Sequence, residues 1–186
     1  DGTLTVTANF TVNFFSFSGI TRTRALNMGS GTWVIISTGA GWGWNPWSFT
    51  GCTFNAQTST IQTNSTSANN GYFSGQSQIY NNLTITGGGT GSIIFSGNNT
   101  FNTLTIGAPK TVTFTAGTTQ TVSSFSATGS SGNVITLNSS SAGTAAALSD
   151  TSGTNAASYC SIRDITASGG ARWRAFNNCT NVSGNS

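Results

Sequence analysis

Acidic side chains are the first residues to consider for chemistry, and the chain has three of them, Asp1, Asp150 and Asp164. Glutamate and histidine are absent, so the usual general base and the serine triad are missing. Glycoside hydrolysis needs two carboxyl groups that face each other, and the spacing of Asp150 and Asp164 gives no reason for them to meet. We therefore predict no catalytic residues and no enzymatic activity. Asp150 is expected to shape a turn, and Asp164 to pair with Arg163 or Arg172.

Cysteines and glycine-rich stretches are the next candidates, here for metal or cofactor binding. Cys52, Cys160 and Cys179 lack the paired spacing of metal ligands. A disulfide between Cys160 and Cys179 and a pair of buried thiols are both compatible with the sequence. The glycine-rich stretch 87–91 is followed by a strand pattern and contains no lysine, unlike a phosphate-binding loop. The sequence thus predicts neither a metal site nor a cofactor.

Tryptophan provides the one local cluster that could bind a ligand. Trp42, Trp44 and Trp47 lie within six residues, punctuated by glycine and proline. Such rings could form a platform for sugar rings or a partner surface. They could equally close the end of the core or pack between subunits. A second aromatic stretch, Arg172-Trp173-Arg174, could stack guanidinium on indole or form a solvated edge.

The composition excludes several classes of protein. Charged residues make up 5% of the 186 residues, and six cations are too few and too scattered for a nucleic-acid interface. The longest apolar run, residues 33–36, is far shorter than the roughly 20 residues of a membrane-spanning helix, so we expect no membrane insertion. Hydrophobic residues make up 35% of the chain, which argues against disorder. Hydroxyl and amide groups, not ions, must keep the folded surface hydrated.

Local patterns predict an all-β protein. Threonine, serine, asparagine and glycine are poor helix formers. Hydrophobic residues occur at every second position of several short segments, as in half-buried strands. The clearest segments are 3–7, 83–86, 112–115 and 134–137. Glycine- and asparagine-rich breaks such as 87–89 and 97–99 separate them and suit tight corners.

A repeat organises these strands. Leu83, Leu104 and Phe125 are successively 21 residues apart. A second apolar track has the same period and comprises Ile93, Phe114 and Ile135. The repeat is clearest between residues 80 and 137 and predicts a parallel β-solenoid, or β-helix, with rungs of about 21 residues. A β-sandwich is the alternative.

The predicted solenoid makes specific demands on its side chains. Leu83, Leu104 and Phe125 should form one inward column, and the amides of Asn81, Asn82 and Asn102 should stack as a ladder. We expect one β-rich domain over residues 1–186, forming a segment of a longer chain. Threonine pairs such as Thr84 and Thr86 face outward, and a flat threonine face is a remote indication of ice binding.

Several segments resemble a repeat module of tailed-bacteriophage virion proteins. They read Tyr-Asn-Asn-Leu-Thr-Ile-Thr-Gly-Gly-Gly at 80–89, Asn-Thr-Leu-Thr-Ile-Gly-Ala-Pro-Lys-Thr-Val at 102–112, Leu-Ser-Asp-Thr-Ser-Gly-Thr at 148–154 and Tyr-Cys-Ser-Ile-Arg-Asp at 159–164. Residues 23–33 resemble an upstream element of the same module. The module occurs in tail-fibre, tail-spike and head-decoration proteins and in related bacterial surface proteins. The insert at residues 42–47 departs from its pattern.

The resemblance implies a non-enzymatic structural protein of the virion exterior, as a capsid decoration, a head fibre or a tail-fibre segment. The expected location is the virion surface, and the expected partners are other virion proteins and, at the surface of the host, a glycan. Independently of the resemblance, the ends of a solenoid expose unpaired strand edges, and residues 1–10 show no charged cap, so we expect further copies of the chain to cover this end in a homotrimer. The alternative is a bacterial cell-surface or secreted adhesin with a carbohydrate-binding function. No nucleic-acid partner is expected.

Overall fold

The computed structural model describes residues 2–12, 15–17, 24–36, 44–49, 51–107 and 109–186, with the backbone alone described for 16–17 and 44–49. All regular structure in these residues is β, and no helix occurs among them. Parallel strands stack into a β-solenoid of about 7 turns with rungs of about 22 residues. The predicted solenoid is therefore confirmed, and the β-sandwich alternative is excluded.

The strands are short and follow one another closely, as the glycine- and asparagine-rich breaks require. In chain order they are β1 (Gly2–Thr5), β2 (Phe10–Val12), β3 (Phe15–Phe17), β4 (Arg24–Asn27), β5 (Thr32–Ile35), β6 (Trp44–Phe49), β7 (Thr53–Asn55), β8 (Thr60–Asn64), β9 (Gly71–Ser74), β10 (Ile79–Thr86), β11 (Ile93–Ser96), β12 (Thr100–Gly107), β13 (Thr111–Phe114), β14 (Thr119–Thr128), β15 (Ile135–Ser139), β16 (Ala146–Ser149), β17 (Thr154–Ser158), β18 (Cys160–Arg163), β19 (Ile165–Ser168), β20 (Arg172–Phe176) and β21 (Thr180–Ser183).

Three parallel sheets run along the stack. The shortest has the order β1-β4-β7. The second sheet follows β2-β5-β8-β10-β12-β14-β16-β19, and β17 joins β14 to β20 at its side. The third follows β3-β6-β9-β11-β13-β15-β18-β21. Each sheet thus gains a strand as the chain winds on, which is the connectivity of a solenoid.

The second sheet keeps the predicted register. Leu83 pairs with Leu104, and Leu104 pairs with Phe125, each 21 residues further along the chain. Ile61 continues the column one rung earlier by pairing with Leu83. All four side chains are buried. Strand alternation turns these residues inward and leaves the intervening threonines on the outer face.

The third sheet does not keep the 21-residue register. The residues of the second predicted track therefore do not form one column. Ile93 pairs with Val112, not with Phe114, and Val112 pairs with Leu137. Phe114 pairs instead with Phe95 on one side. The reason is that the corners differ in length. The link between β12 and β13 is short. The link between β14 and β15 is longer, because it contains a turn closed by mutual backbone hydrogen bonds between Ser130 and Asn133. Ile93, Phe114 and Ile135 are all buried, but in different columns.

Aromatic rings fill the middle of the core. Tyr80 and Phe101 stack with ring centroids 5.3 Å apart and an interplanar angle of 18°. Phe73 lies 5.2 Å from Tyr80 and 5.2 Å from Phe95. The Tyr80 hydroxyl donates to the Gly75 carbonyl at 2.8 Å, which satisfies its polar group inside the core.

Two amide side chains are hydrogen-bonded to each other at a buried corner. Asn99 donates from Nδ2 to Gln120 Oε1 at 2.9 Å, and Gln120 donates from Nε2 to the Gly97 carbonyl at 2.8 Å. Both amide side chains belong to fully buried residues one rung apart. Gly75 is required beside this pair, because a Cβ atom there would overlap the Asn99 side chain.

Candidate functional site

The tryptophan cluster predicted as a binding site is only partly described. Trp44 and Trp47 belong to β6, where Trp44 pairs with Gly71 and Trp47 with Phe73. The register shifts between the two tryptophans, where Pro46 lacks the N–H that a continuous ladder needs. Trp42 and the side chains of Trp44 and Trp47 lie outside the described residues. The aromatic platform therefore stays a prediction.

A lateral groove that the sequence did not predict lies on the flank of the solenoid. It has a volume of about 540 Å³ and crosses successive rungs along β10, β12 and β14. Its polar lining is made mainly of amides and hydroxyls. These residues are Asn55, Gln57, Asn81, Thr100, Asn102 and Ser123. None of the described residues that line the groove is charged.

Phe54 and Ile79 are the large apolar side chains that reach the surface of this lateral groove. Tyr80 and Phe101 also border it, but their rings are buried in the core beneath it. The Phe54 ring is half-buried and lies 4.9 Å from Tyr80, which in turn stacks on Phe101. Ile79 stands at the groove with 71% of its surface exposed, an unusual position for a large aliphatic side chain. The groove thus combines apolar and neutral hydrogen-bonding surface.

The predicted asparagine ladder runs beside the lateral groove. Asn102 donates from Nδ2 to Asn82 Oδ1 at 3.2 Å, and Asn82 donates to Thr60 Oγ1 at 3.3 Å. Asn81 donates to the Ser59 carbonyl at 3.2 Å. The predicted ladder is confirmed as an amide-to-amide contact only between Asn102 and Asn82, because Asn82 continues to a threonine hydroxyl and Asn81 bonds to a backbone carbonyl. It also fixes the orientation of the amides that face the groove.

A second cavity lies at the C-terminal end of the core. It measures about 300 Å³ and is lined mostly by apolar side chains, including Leu148, Ile165 and Trp173. Alanines at 156, 157, 167 and 175 line part of this space. Trp173 donates from its indole N–H to the Ser168 carbonyl at 3.2 Å. Arg172 and Arg174 are exposed on either side of it, as a solvated edge requires, whereas Trp173 itself packs against the core.

The carboxylates of Asp150 and Asp164 accept hydrogen bonds at corners of the backbone. Asp150 accepts from the Ser152 amide at 3.2 Å and from Asn155 Nδ2 at 2.8 Å, while Asn155 Oδ1 accepts from the Phe125 amide at 2.7 Å. Asp164 lies 3.5 Å from Arg163 Nε and accepts from the Gly143 amide at 3.1 Å. Of the two partners predicted for Asp164, the structure shows Arg163. Among the described residues, no group of three or more histidine, cysteine or acidic residues gathers at one place.

Lys110 is the buried cation of the described residues. Only 3% of its surface is exposed, and its Nζ donates to the Gly89 carbonyl at 3.1 Å. Burial lowers the pKa of its ammonium group, because a charged amine loses hydration inside the protein. The burial of Lys110 could not be predicted from the sequence, since lysine at a glycine-rich corner normally extends into water.

The cysteines are unbridged. Cys160 is buried, Cys179 is half-buried, and both are free thiols, as is Cys52. Of the two alternatives left open by the sequence, the structure therefore has the thiol pair. In the part of the chain that is described, there is no helix long and apolar enough to cross a membrane.

Comparison of the chain with known protein families, with curated proteins and with solved structures finds no match. The lateral groove and the open end of the core therefore rest on geometry alone as candidate sites.

Proposed function

We propose that the chain is a non-enzymatic structural segment of a bacteriophage virion exterior, either a capsid decoration or head fibre, or part of a tail fibre. The observation that carries the proposal is the continuous parallel stack of about 7 turns. At about 4.8 Å per rung such a stack is a rod some 30 Å or more long, hydrogen-bonded from rung to rung along its axis. The sequence resemblance to virion modules supports the same role.

The chemistry of the surface fits this role. Charged residues are few, and the described carboxylates hold corners of the backbone rather than line either cavity. A rod whose surface is hydrated by hydroxyls and amides changes its charge little with pH, which suits an exposed particle component. The apolar C-terminal cavity and the exposed Phe176 and Val182 give the rod an end suited to a partner. That partner is another virion protein or further copies of the chain in a homotrimer.

The test is to follow the chain through purification of particles from the strain that encodes it. We expect its peptides to co-sediment with capsid and tail proteins on a density gradient at a fixed ratio, and labelled antibodies to mark the outside of intact particles. Antibody position in electron micrographs then distinguishes head from tail. Recovery of the chain only in the host envelope fraction would contradict the proposal.

The lateral groove favours a second candidate, a carbohydrate-binding adhesin. Amides and hydroxyls beside the half-buried Phe54 ring match the neutral hydroxyls and apolar faces of sugar rings. Calorimetry with neutral oligosaccharides tests it directly. Asn102→Leu should abolish binding of any oligosaccharide that the wild type takes, and Ser131→Ala, at an exposed turn away from the groove, should leave it unchanged. Equal affinities for both variants would place the sugar elsewhere.

A further inference from the structure

Two thiols face each other on the last rungs of the solenoid. Cys160 begins β18, and Cys179 directly precedes β21. Ser161 pairs with Thr180, so the two cysteines occupy equivalent positions one residue earlier on adjacent rungs. Neighbouring strands lie about 4.8 Å apart, within the range of about 4.4–6.8 Å that a disulfide spans between Cα atoms.

Side-chain contacts bring the two sulfur atoms together. The backbone N–H of Cys160 donates to Cys179 Sγ at 3.4 Å. Cys160 Sγ lies 3.3 Å from the Ser158 carbonyl, and Cys179 Sγ lies 3.4 Å from the Ala157 carbonyl. Burial and, after it, the neighbouring Cys179 thiol, which is also hydrogen-bonded to Cys160, raise the pKa of Cys160 to about 12.

The two thiols differ in access. Cys160 is fully buried, whereas Cys179 is half-buried. A solute can therefore reach Cys179 first, and Cys160 is placed to resolve whatever forms there.

We propose that Cys160 and Cys179 form a dithiol site that a small organic disulfide oxidises to an intramolecular bridge. The Cys179 thiolate attacks one sulfur of the small disulfide, forming a mixed disulfide and releasing one small thiolate. Cys160 then attacks Cys179 Sγ, and its proton passes to the departing sulfur, which leaves as the second small thiol. The pair gives up two electrons and two protons, and the small disulfide is reduced to two thiols.

The bridge would fasten the terminal rung to the body of the solenoid. It joins residues 19 positions apart and ties the start of β21 to β18, beside the open C-terminal cavity. Closing a loop of this size restricts the unfolded chain and so stabilises the fold. The inference is independent of the proposed virion role, because it depends only on the two rungs that carry the thiols.

The experiment uses the full chain with Cys52→Ser, which removes the third thiol, and oxidised glutathione as the probe. We expect the intact mass to fall by two hydrogen atoms with no glutathione attached, and peptide mapping to find Cys160 joined to Cys179. The melting temperature should rise by about 5 °C or more and return to its starting value after reduction.

Single variants in the same background separate the two steps. Cys160→Ser should keep glutathione attached to Cys179, because no second thiol can displace it. Cys179→Ser should stay unmodified while folded, because Cys160 is buried. A stable glutathione adduct on the two-thiol protein, or a bridge that leaves the melting temperature unchanged, would overturn the proposal.

Discussion

Leu104 shows how much one inward residue contributes. It is fully buried between Leu83 and Phe125, which are the residues that pair with it on the adjacent rungs. Leu104→Asp would place a carboxylate between these apolar side chains, and we expect a loss of several kcal/mol in the free energy of unfolding. A typical domain has only about 5–15 kcal/mol in total, so the variant should be largely unfolded in thermal denaturation.

Thr105→Asp is the matched control, one residue further along β12. Thr105 is half-buried on the outer face, where a carboxylate stays hydrated. We expect its unfolding free energy to change by about 0.5 kcal/mol or less. A larger loss for Thr105→Asp than for Leu104→Asp would contradict the inward assignment of the column.

Lys110 makes stability depend on pH in a definite direction. Its folded-state pKa is lowered by burial, so between that value and the ordinary 10.5 the unfolded chain binds more protons. Its contribution to stability therefore rises as the pH rises through this window. We expect Lys110→Met to be at least as stable as the wild type at neutral pH, with an advantage that shrinks toward pH 10.5.

The measurement is urea unfolding of both proteins across that pH range. The difference between them isolates Lys110, because every other ionisable group is common to both. Arg172→Met, which removes an exposed cation, serves as a control and should show no such trend. An advantage of Lys110→Met that grows with pH would contradict the buried-ammonium explanation.

Residue types predicted some roles and not others. The turn at Asp150 and the pairing of Asp164 with Arg163 could be predicted, because an isolated carboxylate has few alternatives to a turn or a nearby cation. The buried pair Asn99 and Gln120 could not, since amides at corners look the same in sequence whether they are buried or exposed. The same ambiguity concealed the lateral groove, whose lining is ordinary asparagine, threonine and serine.

Strand elements explain why one track was predicted correctly and the other was not. β10, β12 and β14 are long strands that pair with a constant offset of 21 residues. Residues that share this spacing in the sequence therefore lie next to one another on adjacent rungs. β11, β13 and β15 are joined through corners of unequal length, and the offset changes at each step. A sequence period reports the sum of strand and corner lengths. It locates a column only where the corners are equal.

An insertion tests the register of an element directly. One serine inserted between Thr103 and Leu104 would turn Leu104 and Ile106 outward, because side chains alternate along a strand. We expect this variant to lose several kcal/mol of stability or to fail to fold, as judged by circular dichroism and thermal unfolding. The same serine inserted between Ser131 and Gly132, at an exposed turn, should be tolerated with a shift in melting temperature of about 2 °C or less. Equal losses at the two positions would show that β12 does not depend on its alternation.

At the scale of the whole molecule, the two ends of the stack differ from its middle. Within the described residues, a central rung has hydrogen-bonded neighbours on both sides, whereas β20 and β21 each pair with a strand on one side only. Most side chains of these two strands are exposed, and the cavity beneath them is open. In a solenoid, stability is approximately the sum of rung and interface contributions, so the terminal rung should open most easily.

Hydrogen exchange should therefore show a gradient along the isolated chain. We expect amides of β12 to exchange only through global unfolding and amides of β21 to exchange through local opening, with protection lower by several orders of magnitude.

The same measurement tests the proposed partner at this end, because strands that pair with the exposed edge would satisfy its backbone groups. If the chain forms a homotrimer or docks on another virion protein through the C-terminal rung, protection of β20 and β21 should rise in the assembly while that of β12 stays unchanged. A uniform protection pattern in a chain that native mass spectrometry shows to be monomeric would mean that the terminal rung needs no partner, and would contradict this account of the open end.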